Sequence, residues 1–73
     1  MNVLMRVTYT YVATDTSVRT VSCTRLADPD AVIRAAAEAR RKRDWIWIID
    51  HEQGVRHAFP ADRLVDVVTE PQP

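Results

Sequence analysis

Seventy-three residues hold one domain and leave no room for a multidomain enzyme. At this size folding removes only about 60% of the surface that the unfolded chain exposes, so a second copy or a partner would add useful stability. Ten Lys and Arg balance ten Asp and Glu, so no net field draws the chain to nucleic acid or to an anionic membrane.

The scarce residues exclude further classes. A single Cys rules out an internal disulfide, and a single Gly rules out a glycine-rich phosphate cradle. No signal peptide is apparent, and no apolar run approaches the roughly 20 residues of a membrane-spanning helix. The expectation is a cytoplasmic protein with Cys23 reduced and packed in a strand.

From Val3 to Val12 the pattern alternates. Val3, Met5, Val7, Tyr9 and Tyr11 share one face, and Arg6, Thr8 and Thr10 share the other. That is the period of a half-buried antiparallel strand. Residues 13–17 are a polar turn without Gly, which favours a longer loop over a two-residue turn. Val18 to Arg25 reads as the return strand of a hairpin.

Asp28-Pro29-Asp30 marks a helix start. Asp28 can accept from a free first-turn N–H, Pro29 suits the first helical position, and Asp30 meets the positive end of the dipole. Helix formers run from Ala31 to Arg43. Val32, Ile33, Ala36 and Ala39 fall on one side, and Arg34, Glu38, Arg41 and Lys42 fall opposite. The alanines make a thin apolar face that can lie close to a sheet. Cations at residues 40–43 complement the C-terminal carbonyls.

Trp45-Ile46-Trp47-Ile48-Ile49 predicts a third strand over Trp45 to Asp50 that is apolar on both faces. His51-Glu52-Gln53-Gly54 turns the chain, with Gly54 free to take positive φ. Val55 to Phe59 gives a fourth strand that Pro60 interrupts. A short helical turn at residues 61–63 leads to a final strand from Leu64 to Thr69. The predicted fold is α+β, in β-β-α-β-β-β order. It is a small, mostly antiparallel sheet of four to five strands with one helix on a face. Residues 1–69 form the domain and 70–73 a frayed tail.

The third strand poses the central question. If the tryptophans face the helix, Ile46 and Ile48 are left out; if the isoleucines face inward, two indoles are left out. The spare face meets the final strand, curled over it, or a second copy or partner. Trp is favoured at interfaces because it buries much area with little entropy lost. Trp45, Trp47, Ile46 and Ile48 are therefore the candidate protein-interface residues, and a homodimer is the expected partnership.

Other constellations carry less. Arg34, Arg40, Arg41, Lys42 and Arg43 could meet phosphates beside the tryptophans, which makes a nucleic-acid-binding module the alternative reading. The bland reading is a solvated helix face, and no recognition motif accompanies the cluster. Asp50, His51, Glu52 and His57 gather around one turn without metal-ligand spacing, so no metal is expected. Ser17, Ser22 and Cys23 lack a catalytic context, so no enzyme and no cofactor are expected.

The run from Ile48 to Val67 places a strand, an acidic turn with Gly, a second strand, Phe59-Pro60-Ala61-Asp62 and a short apolar strand in succession. It resembles a pattern in short uncharacterised proteins of high-GC actinobacteria and their phages. The resemblance implies a small accessory protein and brings no catalytic residue with it. The two-sided apolar third strand separately makes binding and modulating a host protein through a sheet face the expected function. Within the run Phe59 is expected to plug the core, Pro60 to end pairing and Asp62 to cap a turn.

Overall fold

A computed structural model describes residues 1–50 and 53–73. The first hairpin joins β1 (Val3–Val12) to β2 (Val18–Ala27). Its loop is a three-residue turn. The Ala13 N–H donates to the Ser17 carbonyl (2.8 Å) and the Thr16 N–H to the Ala13 carbonyl (2.9 Å). Thr16 takes the left-handed position (φ 66°) that closes such loops. Asp15 ties the corner by accepting from the Ser17 N–H (3.0 Å) and hydroxyl. Those bonds hold the Asp15 carboxyl below its ordinary range.

The helix α1 spans Pro29–Arg41, and the Asp28 carboxylate caps it by accepting from the Asp30 N–H (3.1 Å). Its far end is a Schellman closure. The Asp44 N–H reaches the Ala39 carbonyl (2.9 Å) and the Arg43 N–H the Arg40 carbonyl (3.2 Å). Arg43 occupies the left-handed position (φ 56°) where Gly is usual.

A second hairpin follows, β3 (Trp45–Asp50) and β4 (Val55–Pro60), with Gly54 at φ 67° in its turn. A 3₁₀ turn at Ala61–Arg63 leads into β5 (Leu64–Pro71). The Asp62 side chain does not cap that turn, contrary to expectation. The expected turn residues His51 and Glu52 lie outside the described residues.

The α+β class and one helix are as the sequence predicts, but the strands form two antiparallel sheets instead of one. β2-β1-β5 is one sheet and β3-β4 the other. The final strand pairs with β1 from Tyr11↔Leu64 to Met5↔Pro71. It therefore does not curl over β3, and the 70–73 tail is not frayed. Glu70 and Pro71 belong to β5, and the Gln72 N–H donates to the Leu4 carbonyl (2.9 Å).

Both prolines sit where a strand tolerates them. Paired residues in an antiparallel ladder alternate between hydrogen-bonded and non-bonded pairs. The Gln72–Leu4 bond puts Pro71, opposite Met5, in a non-bonded pair. The Ala61 N–H donating to the Asp44 carbonyl (2.9 Å) does the same for Pro60 opposite Trp45. Neither ring removes a needed donor, so Pro60 closes β4 without breaking it.

The core lies between the inner face of the three-stranded sheet and a layer made by α1 and the second hairpin. Met5, Val7 and Tyr9 meet Val32 and Ala36 from the helix and Ile46, Ile48 and Phe59 from the hairpin. Phe59 plugs it as expected. Its ring stacks on Tyr11 (centroids 4.1 Å, interplanar 4°) and meets Tyr9 edge-on (6.3 Å, 64°).

Candidate functional site

The second hairpin has one face in the core and one in solvent. Ile46 and Ile48 face inward, 8% and 3% exposed, opposite Phe59 and His57. The thin alanine face of α1 leaves a shallow core that Tyr9, Tyr11 and Phe59 already occupy. Branched isoleucines fill what is left. Of the four sequence-predicted interface residues, Ile46 and Ile48 are therefore core residues with no part in a surface.

Trp45 and Trp47 lie on the outer face, 52% and 73% exposed, with Ile49 at 49%. Ile49 was not among the expected interface residues, although it shares the tryptophans' parity on the strand. Opposite them stand Pro60, Ala58 and Arg56. A Trp side chain presents roughly 150–250 Å², so the two indoles leave about 200–300 Å² of aromatic surface in water. With Ile49 the patch reaches the size of the largest apolar patches on ordinary monomers, about 300–600 Å².

Among the described residues β4 is the one ladder partner of β3, so the other backbone edge of β3 makes no ladder, although β2 lies close to it. The Asp44–Ala61 bond sets the alternation. Ile46, Ile48 and Asp50 direct their main-chain groups at β4, and Trp45, Trp47 and Ile49 direct theirs away. Asp44 occupies the first of these outward donors by accepting from the Trp45 N–H (2.8 Å).

Two adjoining clefts run along that edge. One, about 190 Å³, lies between α1 (Ala35, Ala36, Ala39) and β3 (Trp45, Ile46, Trp47). The other, about 300 Å³, lies between β2 (Cys23, Thr24) and β3 (Trp47, Ile48, Ile49). Tyr9, Arg25 and Trp47 line both. Burial pushes the Cys23 thiol up, against the pull of Arg25. Tyr9 is likewise raised chiefly by burial, with Arg25 opposing through its charge and a hydrogen bond. Neither shift makes a nucleophile or base near neutral pH.

The five cations of the basic cluster are exposed on the last turns of α1 and just beyond it. Arg41 forks onto Glu38 (2.6 and 3.1 Å) and Lys42 reaches the same carboxylate (3.4 Å). The bond to Arg41, with help from Lys42, holds the Glu38 carboxyl below its ordinary range. Two of the five cations are thus engaged within one helix turn. Arg40 instead lines a cleft of about 520 Å³ between α1 and β5, and Arg34 and Arg43 are exposed. Of the group around the second turn, His51 and Glu52 lie outside the described residues. His57 pairs with Ile48 on the core face, half-buried.

No helix among the described residues is long and apolar enough to cross a membrane. Comparison with protein families, curated proteins and solved structures gives no match.

Proposed function

We propose that this chain is a small non-enzymatic binding module that acts by docking the outer face of β3 onto another protein, and so modulates that protein. The carrying observation is that Trp45, Trp47 and Ile49 stand exposed on one face while the final strand pairs in the other sheet. No described segment of the chain is left to cover them. An interface of standard size buries about 800 Å² on each side. The indoles would form its centre, where truncation commonly costs 2 kcal/mol or more.

The partner is a different protein or a second copy of the chain. Self-association is the simplest form of the reading, because one patch then serves both sides of a two-fold interface. The neutral net charge fits an interaction that does not depend on steering by a strong field.

The test combines light scattering with tryptophan fluorescence. Free chain is expected to emit as solvent-exposed indole, shifting to the blue on association. A Trp45→Thr/Trp47→Thr double variant is expected to keep its circular dichroism spectrum and weaken association by at least about 30-fold per indole. A strict monomer with both indoles already shielded from acrylamide would dispose of the reading.

A further inference from the structure

We infer that the pocket between the loop of the first hairpin and the Pro60 end of the second takes one large apolar side chain of the partner protein, with a carboxylate near that anchor meeting Arg63. This rests on the protein-docking reading above and names the chemistry of the partner segment.

Three observations carry it. The first is place. The pocket is bounded by residues 11–14 on one side and by Trp45, Ala58, Phe59 and Pro60 on the other. By their places in the ladder, Trp45, Ala58 and Pro60 also belong to the outer face on which Trp47 and Ile49 stand. The pocket is therefore continuous with the tryptophan patch, and a partner seated on that patch reaches it. Anchor side chains of tight interfaces fill pockets of this kind.

The second is size and rigidity. The pocket holds about 280 Å³, just under the roughly 300–1,000 Å³ of sites that enclose a whole small ligand. That volume suits one large side chain. Its lining is already fixed. Phe59 is 3% exposed and its ring stacks on Tyr11 at 4.1 Å. The loop wall is pinned by the Ala13–Ser17 and Thr16–Ala13 backbone bonds. An anchor entering such a pocket loses little affinity to reorganisation.

The third is charge. Arg63 is the one charged residue that lines the pocket, and it is exposed. No ion pair among the described residues engages it, not even with Asp62 beside it in the chain. The rest of the lining is neutral and mostly apolar. The complementary segment therefore pairs an apolar anchor with a negative charge. A backbone carbonyl could also accept from Arg63, but a carboxylate meets a guanidinium with two parallel bonds.

The experiment is a display selection of random octapeptides against the full 73-residue chain, then anisotropy titration of labelled winners. Enriched peptides are expected to fix Leu, Met, Phe or Trp at one position, with Asp or Glu within two residues of it. Replacing that anchor by Ala is expected to weaken binding at least about 30-fold. Replacing the acid by its amide, or Arg63→Gln in the protein, is expected to weaken it about three- to tenfold. Ala58→Phe, at an exposed position, is expected to fill the pocket and weaken binding as much as loss of the anchor. Circular dichroism of both variants checks that the fold is kept.

No enrichment, enrichment without the anchor and acid, or binding indifferent to Ala58→Phe or Arg63→Gln would overturn the inference. A dimer in light scattering that Ala58→Phe dissociates would assign the pocket to a second copy and overturn it as well. Peptides that depend on Trp47 but ignore both variants would overturn it while leaving the docking face intact. That outcome separates failure of the pocket from failure of the broader reading.

Discussion

Phe59 is the residue on which the two-faced second hairpin turns. Its side chain is 3% exposed, stacked on Tyr11 and edge-on to Tyr9. Phe59→Ala removes the buried ring and leaves a cavity, which costs about 3–5 kcal/mol in comparable cores. A chain of this length has roughly 4–11 kcal/mol of total stability, so the variant should be unfolded or nearly so at 37 °C. Phe59→Leu keeps most of the volume. It loses the two ring pairs, about 0.5–1.5 kcal/mol each, and should lower Tm by roughly 4–8 °C for each kcal/mol. Trp47→Thr, on the outer face of the same hairpin, should stay within about 0.5 kcal/mol of the parent. Urea denaturation followed by circular dichroism measures all three. If Trp47→Thr costs more than Phe59→Leu, the hairpin faces are reversed and the docking surface assigned above is wrong.

Arg43 holds a left-handed conformation that costs an L side chain about 1–2 kcal/mol, part of which Gly would repay in unfolded-state entropy. Arg43→Gly should therefore raise stability by roughly 0.5–1 kcal/mol in calorimetry, and a loss would contradict the Schellman closure. Deleting residues 70–73 removes the Gln72–Leu4 bond and the Arg6–Glu70 pairing. It should cost about 1–3 kcal/mol at the usual worth of a backbone bond, whereas a frayed tail would be lost without effect. Burial raises the Tyr9 phenol above its ordinary value near 10, so the folded chain keeps that proton when the unfolded chain has given it up. Stability should fall as pH rises past about 10 and through the folded value. Tyr9→Phe should flatten that decline in pH-dependent melts, and an unchanged slope would remove Tyr9 as its source.

Much of this architecture was legible because local chemistry and tertiary packing agree. Alternation in Val3–Val12 and the Asp28-Pro29 start each have one physical solution, and the structure adopts it. The pairing of β5 was not legible. Its short valine-rich run fits the edge of any sheet, and only the three-dimensional placement of β1 selects a partner. Pro60 misled for a related reason. Whether a strand proline breaks pairing depends on which rung it occupies, and the register decides that.

The candidate site was half visible. The five-residue run from Trp45 to Ile49 shows that one face is surplus, but it holds large side chains of both parities. The choice depends on how shallow the core is beneath Ala36 and Ala39, and on Phe59 already filling it. Arg25 gave no sequence signal, because it comes to the two clefts beside β3 through its pairing opposite Met5 and not through any local motif.

The most direct measurement is site-specific photocrosslinking in cells that naturally make the protein. A benzophenone side chain replaces Trp47 on the outer face of β3, or Thr20 on the other sheet as a control; both positions are exposed. A discrete adduct, with another protein or with a second copy, is expected from position 47 and not from position 20. Trp45→Thr in the same chain should diminish it. Equal labelling from the two positions, or none from position 47, would contradict the claim that the uncovered tryptophan face is where this protein docks.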